Sequence, residues 1–252
     1  MEEFFTPNGT ILEIFFRSYV VMFAWYLVVA GVCFLVLYVF LRRAYINKKI
    51  QSTFPKWSDI RREFMYSLVT LIFFWWVVVI VYMTPFRHMT QVYDHFSDRW
   101  WWYFFLSFVI YILYHDAYFY WTHRLLHHRW FMRFHRIHHM SHSPTPWAAF
   151  SFHPVEAIIN SSVTLTIVLF LPVHIFTILL FYLCMTAVNV YGHLGFEMFG
   201  KSESTHWFWR WWLKTIYHDL HHERWTANFW FYFTWWDRMM GTFDGWDKKP
   251  RG

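Results

Sequence analysis

Histidine accounts for 17 of the 252 residues, and most of these stand in patterned groups: HRLLHH at 123–128, HRIHH at 135–139 and HDLHH at 218–222. On a helix, positions i, i+3 and i+4 share a face with side chains about 5–6 Å apart, which suits imidazoles meeting on a metal ion. At this histidine frequency HxxHH should arise by chance about 0.08 times in such a chain, yet it occurs at 135–139 and again at 218–222. Neutral imidazoles crowded together compete for partners, and charging them sets like charges side by side. A bound cation removes both problems. The first group offers His123 and His127, the second His135, His138 and His139, and the third His218, His221 and His222. A ninth candidate is His193, in Tyr191-Gly192-His193-Leu194-Gly195, where glycine lets backbone approach closely. Nine ligands exceed the capacity of one ion, whereas two ions with four or five imidazoles each use them all. An imidazole shell suits zinc, copper, iron or nickel and not calcium or magnesium. The two cysteines, Cys33 and Cys184, lie in apolar runs and supply no CxxC knuckle, iron–sulfur ligand set or disulfide framework.

A ligating imidazole ordinarily donates its other N–H to a carboxylate or carbonyl. Asp116 is the leading candidate for that partner, since it precedes His123 by two helical turns on the same face and a carboxylate within a membrane span is costly enough to suggest function. His115, Glu156, Glu197, Asp219 and Glu223 are weaker candidates. Isolated His88, His95, His174 and His206 read as polar interfacial or packing residues, and His128 and His142 as surface or supporting ones.

These histidines need elements to hold them, and the composition says which kind. Hydrophobic residues make up 57% and charged residues only 15%, against about 25% charged in ordinary soluble domains. The basic residues form no stripe or nucleic-acid module, so the net charge of +6 points to an anionic membrane surface and not to nucleic acid. The start Met1-Glu2-Glu3 lacks the basic region of a cleaved signal peptide. Apolar runs at 19–41, 64–83 and 100–122 approach or exceed the roughly 20 residues a spanning helix needs. A fourth, 157–191, is too long for one crossing and is divided by Pro172, which reads as a helical hairpin. Seven Lys or Arg lie between the first two spans and two between the second and third. That bias places the first loop and the histidine groups on the cytoplasmic side and the amino terminus outside.

HRLLHH, HRIHH and HDLHH, together with His153-Pro154-Val155-Glu156 and the closing FTWWDRMMGTF at 233–243, resemble the membrane fatty acid hydroxylase and sterol desaturase superfamily over roughly residues 115–245. The stretch Ser143-Pro144-Thr145-Pro146-Trp147 is more similar to the sterol-desaturase branch. The resemblance implies a cytoplasm-facing, histidine-ligated pair of iron ions that uses dioxygen and two external electrons to oxidise a C–H bond of a sterol or acyl chain. Zinc is expected to take iron's place in purified protein, because it binds nitrogen sites more tightly than Fe²⁺. Some members carry HxxxH where the hairpin returns, and here the earlier position is Asn189, a residue suited to weak binding, to holding a water or to hydrogen bonding alone.

No GxGxxG, Walker or haem-binding segment is evident, so the electrons must come from a partner such as a ferredoxin-like or b-type cytochrome protein with its reductase. The Trp-rich stretch 204–217 reads as an interfacial helix. The expected fold class is an all-α integral membrane protein of about three transmembrane helices plus a hairpin, carrying a cytoplasmic helical histidine-rich catalytic domain. Residues 1–99 would form the amino-terminal helices and loops, and 100–252 the catalytic domain. It would be a multi-pass protein of a bacterial inner membrane or the endoplasmic reticulum. Hydroxylation is the first expectation, desaturation on the same scaffold the alternative. A histidine-rich membrane metal carrier or sensor is a distant third, because a transporter should place its ligands near mid-bilayer and these sit at helix ends.

Overall fold

The computed structural model describes residues 11–200 and 209–245. Helix α1 (Ile11–Phe34) continues as a π-helical stretch, Leu35–Phe40, whose end is marked by the Leu41 amide reaching back five residues to the Val36 carbonyl at 2.8 Å. Helix α2 (Trp57–Met83) starts where the Asp59 carboxylate accepts from the Lys56 amide at 3.2 Å. It stops at Thr84-Pro85, because proline cannot donate to the preceding turn and Thr84 turns its hydroxyl to cap the next one. Helix α3 (Trp101–Leu126) and the short α4 (Met132–His139) follow. The hairpin consists of α5 (Pro154–Ile167) and α6 (Ile175–Gly192), with α7 (Thr215–Arg224) and α8 (Trp235–Met240) beyond it. The arms of the hairpin are unequal, and only α6 is long enough to cross a bilayer.

Among the described residues, three helical segments are long and apolar enough to span a membrane: Tyr19–Phe40, Trp57–Met83 and Ile175–Gly192. Helix α3, expected as the third span, is not among them. Its buried face carries Ser107, Tyr111, His115, Asp116 and His123, while Trp101, Phe105, Val109, Leu113 and Trp121 lie on its exposed face. The polar residues lower the average without interrupting the apolar outer surface.

The two ends of the helix assembly differ. At one end, β1 (Val92–Tyr93) pairs in parallel with β2 (Val173–His174), and the Gln91 amide donates to the Val168 carbonyl at 2.7 Å, tying the loop after α2 to the hairpin apex. At the other, the Ile50 amide donates to the Gly195 carbonyl at 3.1 Å and Gln51 reaches Asp219 at 2.8 Å, so the first loop closes against the histidine-bearing elements. Gly195 requires glycine there. Its φ is +68°, and a Cβ would stand 2.5 Å from the Tyr38 hydroxyl. The larger of two apolar clusters among the described residues runs through both proposed segments of the chain, joining Tyr26, Leu71 and Phe74 to Phe150, Ala157 and Phe181.

Candidate metal centre

Each histidine group sits at a helix end. His123 is in the last turn of α3 with His127 just beyond it, His135, His138 and His139 line the inner face of α4, His193 follows α6, and His218, His221 and His222 lie on α7. The structure gathers all nine into two clusters. His123, His127, His135, His139 and His221 form one, and His138, His193, His218 and His222 the other, with the ligand atoms of each within 4.8 Å of one another. The pattern within each box explains the division. In α4, positions 135 and 139, four apart, face the first cluster while 138 faces the second, and in α7, 218 and 222 face the second while 221 faces the first.

The approach of the nitrogens tests whether these residues suit a metal. His123 Nε2 lies 3.0 Å from His135 Nε2, and His139 Nε2 lies 3.2 Å from His127 Nε2. In the second cluster His218 Nε2 stands 2.9 Å from His193 Nε2 and 3.2 Å from His222 Nε2, with His193 Nε2 at 3.4 Å from His138 Nε2. Nitrogens bound at about 2.0–2.1 Å on neighbouring vertices of one ion stand roughly 2.9–3.4 Å apart. Hydrogen bonding on the far side of several rings leaves Nε2 free to bind. His123 Nδ1 meets the Phe229 carbonyl at 3.0 Å, His193 Nδ1 the Asn189 carbonyl at 2.7 Å, and His221 Nδ1 the Ala227 carbonyl at 2.7 Å. His135 Nδ1 meets Glu156 Oε1 at 2.6 Å. A proton on each of these Nδ1 atoms directs the Nε2 lone pair inward, and His221 Nε2 is buried without a hydrogen-bond partner. Burial, reinforced by neighbouring imidazoles, lowers the basicity of the rings, to about 2 for His127 and about 4 for His221. Neutral imidazole is the form that binds metal. The donor set therefore fits a pair of metal ions.

Asp116 meets no imidazole among the described residues. Its Oδ1 accepts from the Tyr232 and Phe233 amides at 2.8 and 3.2 Å, and its Oδ2 from Trp235 Nε1 at 2.6 Å. The two-turn spacing from His123 does place it on the inner face of α3, but the returning carboxyl-terminal segment reaches it first. The carboxylate against an imidazole is that of Glu156, in the first turn of α5. Asn189 borders the space among the imidazoles, with its amide donating to the Ala149 carbonyl and its backbone carbonyl holding His193. His128 and His142 are exposed, while His153 caps α5 by accepting from the Val155 amide at 3.1 Å. Glu197 accepts from the Phe199 and Ile216 amides and so fixes the approach to α7.

Of residues 227–237, the sequence motif covers only 233–237. The whole stretch forms a strap that carries the Ala227 and Phe229 carbonyls to the first cluster. Asp237 binds the Phe229 and Trp230 amides at 3.0 and 2.9 Å, and Asp116 binds the strap further along. The motif at 233–243 was the available signal, but which carbonyls it would present was not readable. Part of the Trp-rich stretch 204–217, including His206 and Trp207, lies outside the described residues. The remainder is not one helix: Trp209–Trp211 forms a 3-10 turn, Trp212 pairs with Phe233, and α7 begins at Thr215.

A space of about 20 Å³ lies among the imidazoles, bounded also by Glu156, Asn189 and Phe152. It exceeds the roughly 10–15 Å³ that one water requires. Beside it is a cavity of about 450 Å³ walled by Val188, Tyr191, Phe199, Trp212, Leu213, Lys214 and Tyr232.

The fatty acid hydroxylase family model matches residues 108–242, a span that includes both clusters and the strap. The chain belongs to the fatty acid hydroxylase family. Among its relatives, a Delta(7)-sterol 5(6)-desaturase of Gibberella zeae is 29% identical over 198 residues, 78% of this chain and 55% of that protein. Human lathosterol oxidase is 26% identical over 196 residues, 74% of this chain and 62% of the relative. A methylsterol monooxygenase of Aspergillus fumigatus is 31% identical over 141 residues, 53% of this chain and 46% of its own length. The chain thus spans about half to three-fifths of these relatives. No solved structure matches it.

Proposed function

We propose that this family member is a membrane-bound enzyme that uses dioxygen and two external electrons to oxidise a C–H bond of a sterol-like lipid at two histidine-held iron ions. The observation that carries this reading is the juxtaposition of two imidazole clusters with an apolar cavity large enough for a lipid ring system. When bound, the iron pair would supply the reduction of dioxygen to an oxidant strong enough to remove hydrogen from an aliphatic carbon. The nine histidines named above would hold it. Glu156 fixes the ring of His135, and the strap carbonyls fix His123 and His221, so the donors are oriented before metal binds. The largely apolar walls, which also include Lys214, lay the lipid beside the clusters.

Dehydrogenation is the favoured outcome, because the desaturase relative aligns with 78% of this chain. Hydroxylation is the second reading, supported by the monooxygenase relative. We place the histidine centre and the first loop on the cytoplasmic face, on the strength of the Lys and Arg bias, within a multi-pass arrangement in which α3 also crosses. A small redox protein of the ferredoxin-like or b-type cytochrome class delivers the electrons. Residues 1–99 carry the first two spans, and residues 100–252 carry all nine histidines of the two clusters.

The test is turnover of lathosterol by the purified, iron-loaded chain under oxygen-18 gas with a reductase-driven donor. Loss of two hydrogens without label identifies desaturation, and a labelled hydroxyl identifies hydroxylation. Absence of any oxygen-dependent sterol product overturns the proposal.

A further inference from the structure

The small space among the imidazoles and the large apolar cavity share two lining residues, Val188 and Leu213, and no other described residue borders both. Val188 lies one turn before Gly192 on α6. A Cβ built on Gly192 would stand 3.8 Å from His218 Cδ2 and 3.9 Å from Leu213 Cδ1, so the Leu213 side chain and the ring of a second-cluster histidine both pack against Gly192, and both line the small space. The segment presenting Leu213 is anchored on both sides. Its own amide donates to the Tyr232 carbonyl at 3.1 Å, Trp212 pairs with Phe233, and the Thr215 hydroxyl donates to the Tyr191 carbonyl at 2.9 Å. Leu213 is therefore held in place against α6.

The volumes decide what can pass. About 20 Å³ among the imidazoles admits a water-sized group but no part of a fused ring, so a lipid must remain in the neighbouring 450 Å³ and present one edge. Aromatic rings of Tyr191, Phe199, Trp212 and Tyr232 line that cavity and suit a flat, rigid body.

We infer that Val188 and Leu213 form the aperture that determines which carbon of a bound sterol-like lipid reaches the metal centre. The inference rests on the function proposed above and adds the residues that set its regiochemistry. An apolar pair suits this role because a single methylene in such a passage changes discrimination by about 10–200-fold.

The experiment uses the full chain, iron-loaded in detergent, with tritiated lathosterol for binding and mass spectrometry for product position, and with metal content measured on every variant. Val188→Phe should bind lathosterol about as tightly as the unaltered chain and keep its metal, while turnover falls about 100-fold through misplacement of the reacting carbon. Binding that weakens in parallel with turnover would make Val188 a binding residue and overturn the inference. The Val188→Ala/Leu213→Ala double variant widens the aperture and should yield oxidation at additional ring positions. An unchanged product pattern in it overturns the inference even if Val188→Phe proves unstable. If the unaltered chain fails to bind lathosterol, the sterol reading falls and takes this inference with it. Binding and turnover with variant-independent regiochemistry removes the aperture alone.

Discussion

His135, a proposed metal ligand, shows how a neighbour sets the orientation of an imidazole. Its Nδ1 is 2.6 Å from Glu156, and both side chains are buried, so the carboxylate fixes the ring and directs Nε2 inward. Glu156→Gln keeps an acceptor but replaces the carboxyl group, and should weaken metal binding about 10-fold. Glu156→Ala removes the acceptor as well and should approach a 100-fold loss. A chelator-competition titration checks this, and equal affinities for the three proteins would contradict it. His221 offers a sharper contrast. It is fully buried, with Nδ1 committed to Ala227 and Nε2 without a partner, so His221→Ala should abolish binding in the five-histidine cluster and remove turnover. His142 is exposed, and His142→Ala should leave metal content and turnover unchanged. Elemental analysis of the two purified variants distinguishes them. Loss of metal in both would mean that the division between ligand and bystander is wrong.

At the scale of elements, helix α7 ends abruptly at Trp225, whose φ of +65° is rare for a bulky residue. Its amide still closes the helix on the His221 carbonyl at 2.9 Å, and its ring lies 4.8 Å from that of His139. The left-handed turn lets the chain double back so that Ala227 reaches His221. The hairpin apex has its own fastening. His174 caps α6 by accepting from the Phe176 amide at 3.1 Å, contacts the Asp94 carbonyl through Nε2 at 3.0 Å, and stacks on Phe96 at 3.9 Å. His174→Ala should therefore lower stability by about 1 kcal/mol, as loss of a helix cap does, while leaving metal content untouched. A thermal melt paired with elemental analysis tests both halves. Metal loss on a par with His221→Ala would contradict the separation of the two ends.

At the scale of the whole molecule, β1 and β2 join the loop after α2 to the hairpin apex at one end, while the first loop and the histidine clusters share the other. That separation makes the sidedness testable with single cysteines in a chain whose Cys33 and Cys184 have been replaced by serine. A cysteine at Lys48 should resist membrane-impermeant maleimide added outside sealed cells, and one at His95 should react. Labelling at position 48 from outside would reverse the orientation.

The sequence by itself determined the helical class, the apolar runs 19–41 and 64–83 that lie in the helical segments Tyr19–Phe40 and Trp57–Met83, and the nine histidines that come together, because hydropathy and i, i+3, i+4 spacing are local properties of the chain. It also pointed to a hairpin around Pro172, although the shortness of α5 was not evident from an apolar run that crossed both arms. Tertiary structure alone decided which imidazoles share a cluster, that Glu156 and not Asp116 meets a histidine, and that the Ala227 and Phe229 carbonyls orient His221 and His123. The partners in those contacts lie 21 residues apart for His135 and Glu156 and 106 for His123 and Phe229. Such contacts depend on how separate elements pack. Asp116 illustrates the reason: its position on α3 was read correctly from helical periodicity, but its partners come from a segment more than 110 residues later, and no local pattern specifies which backbone amides will arrive there.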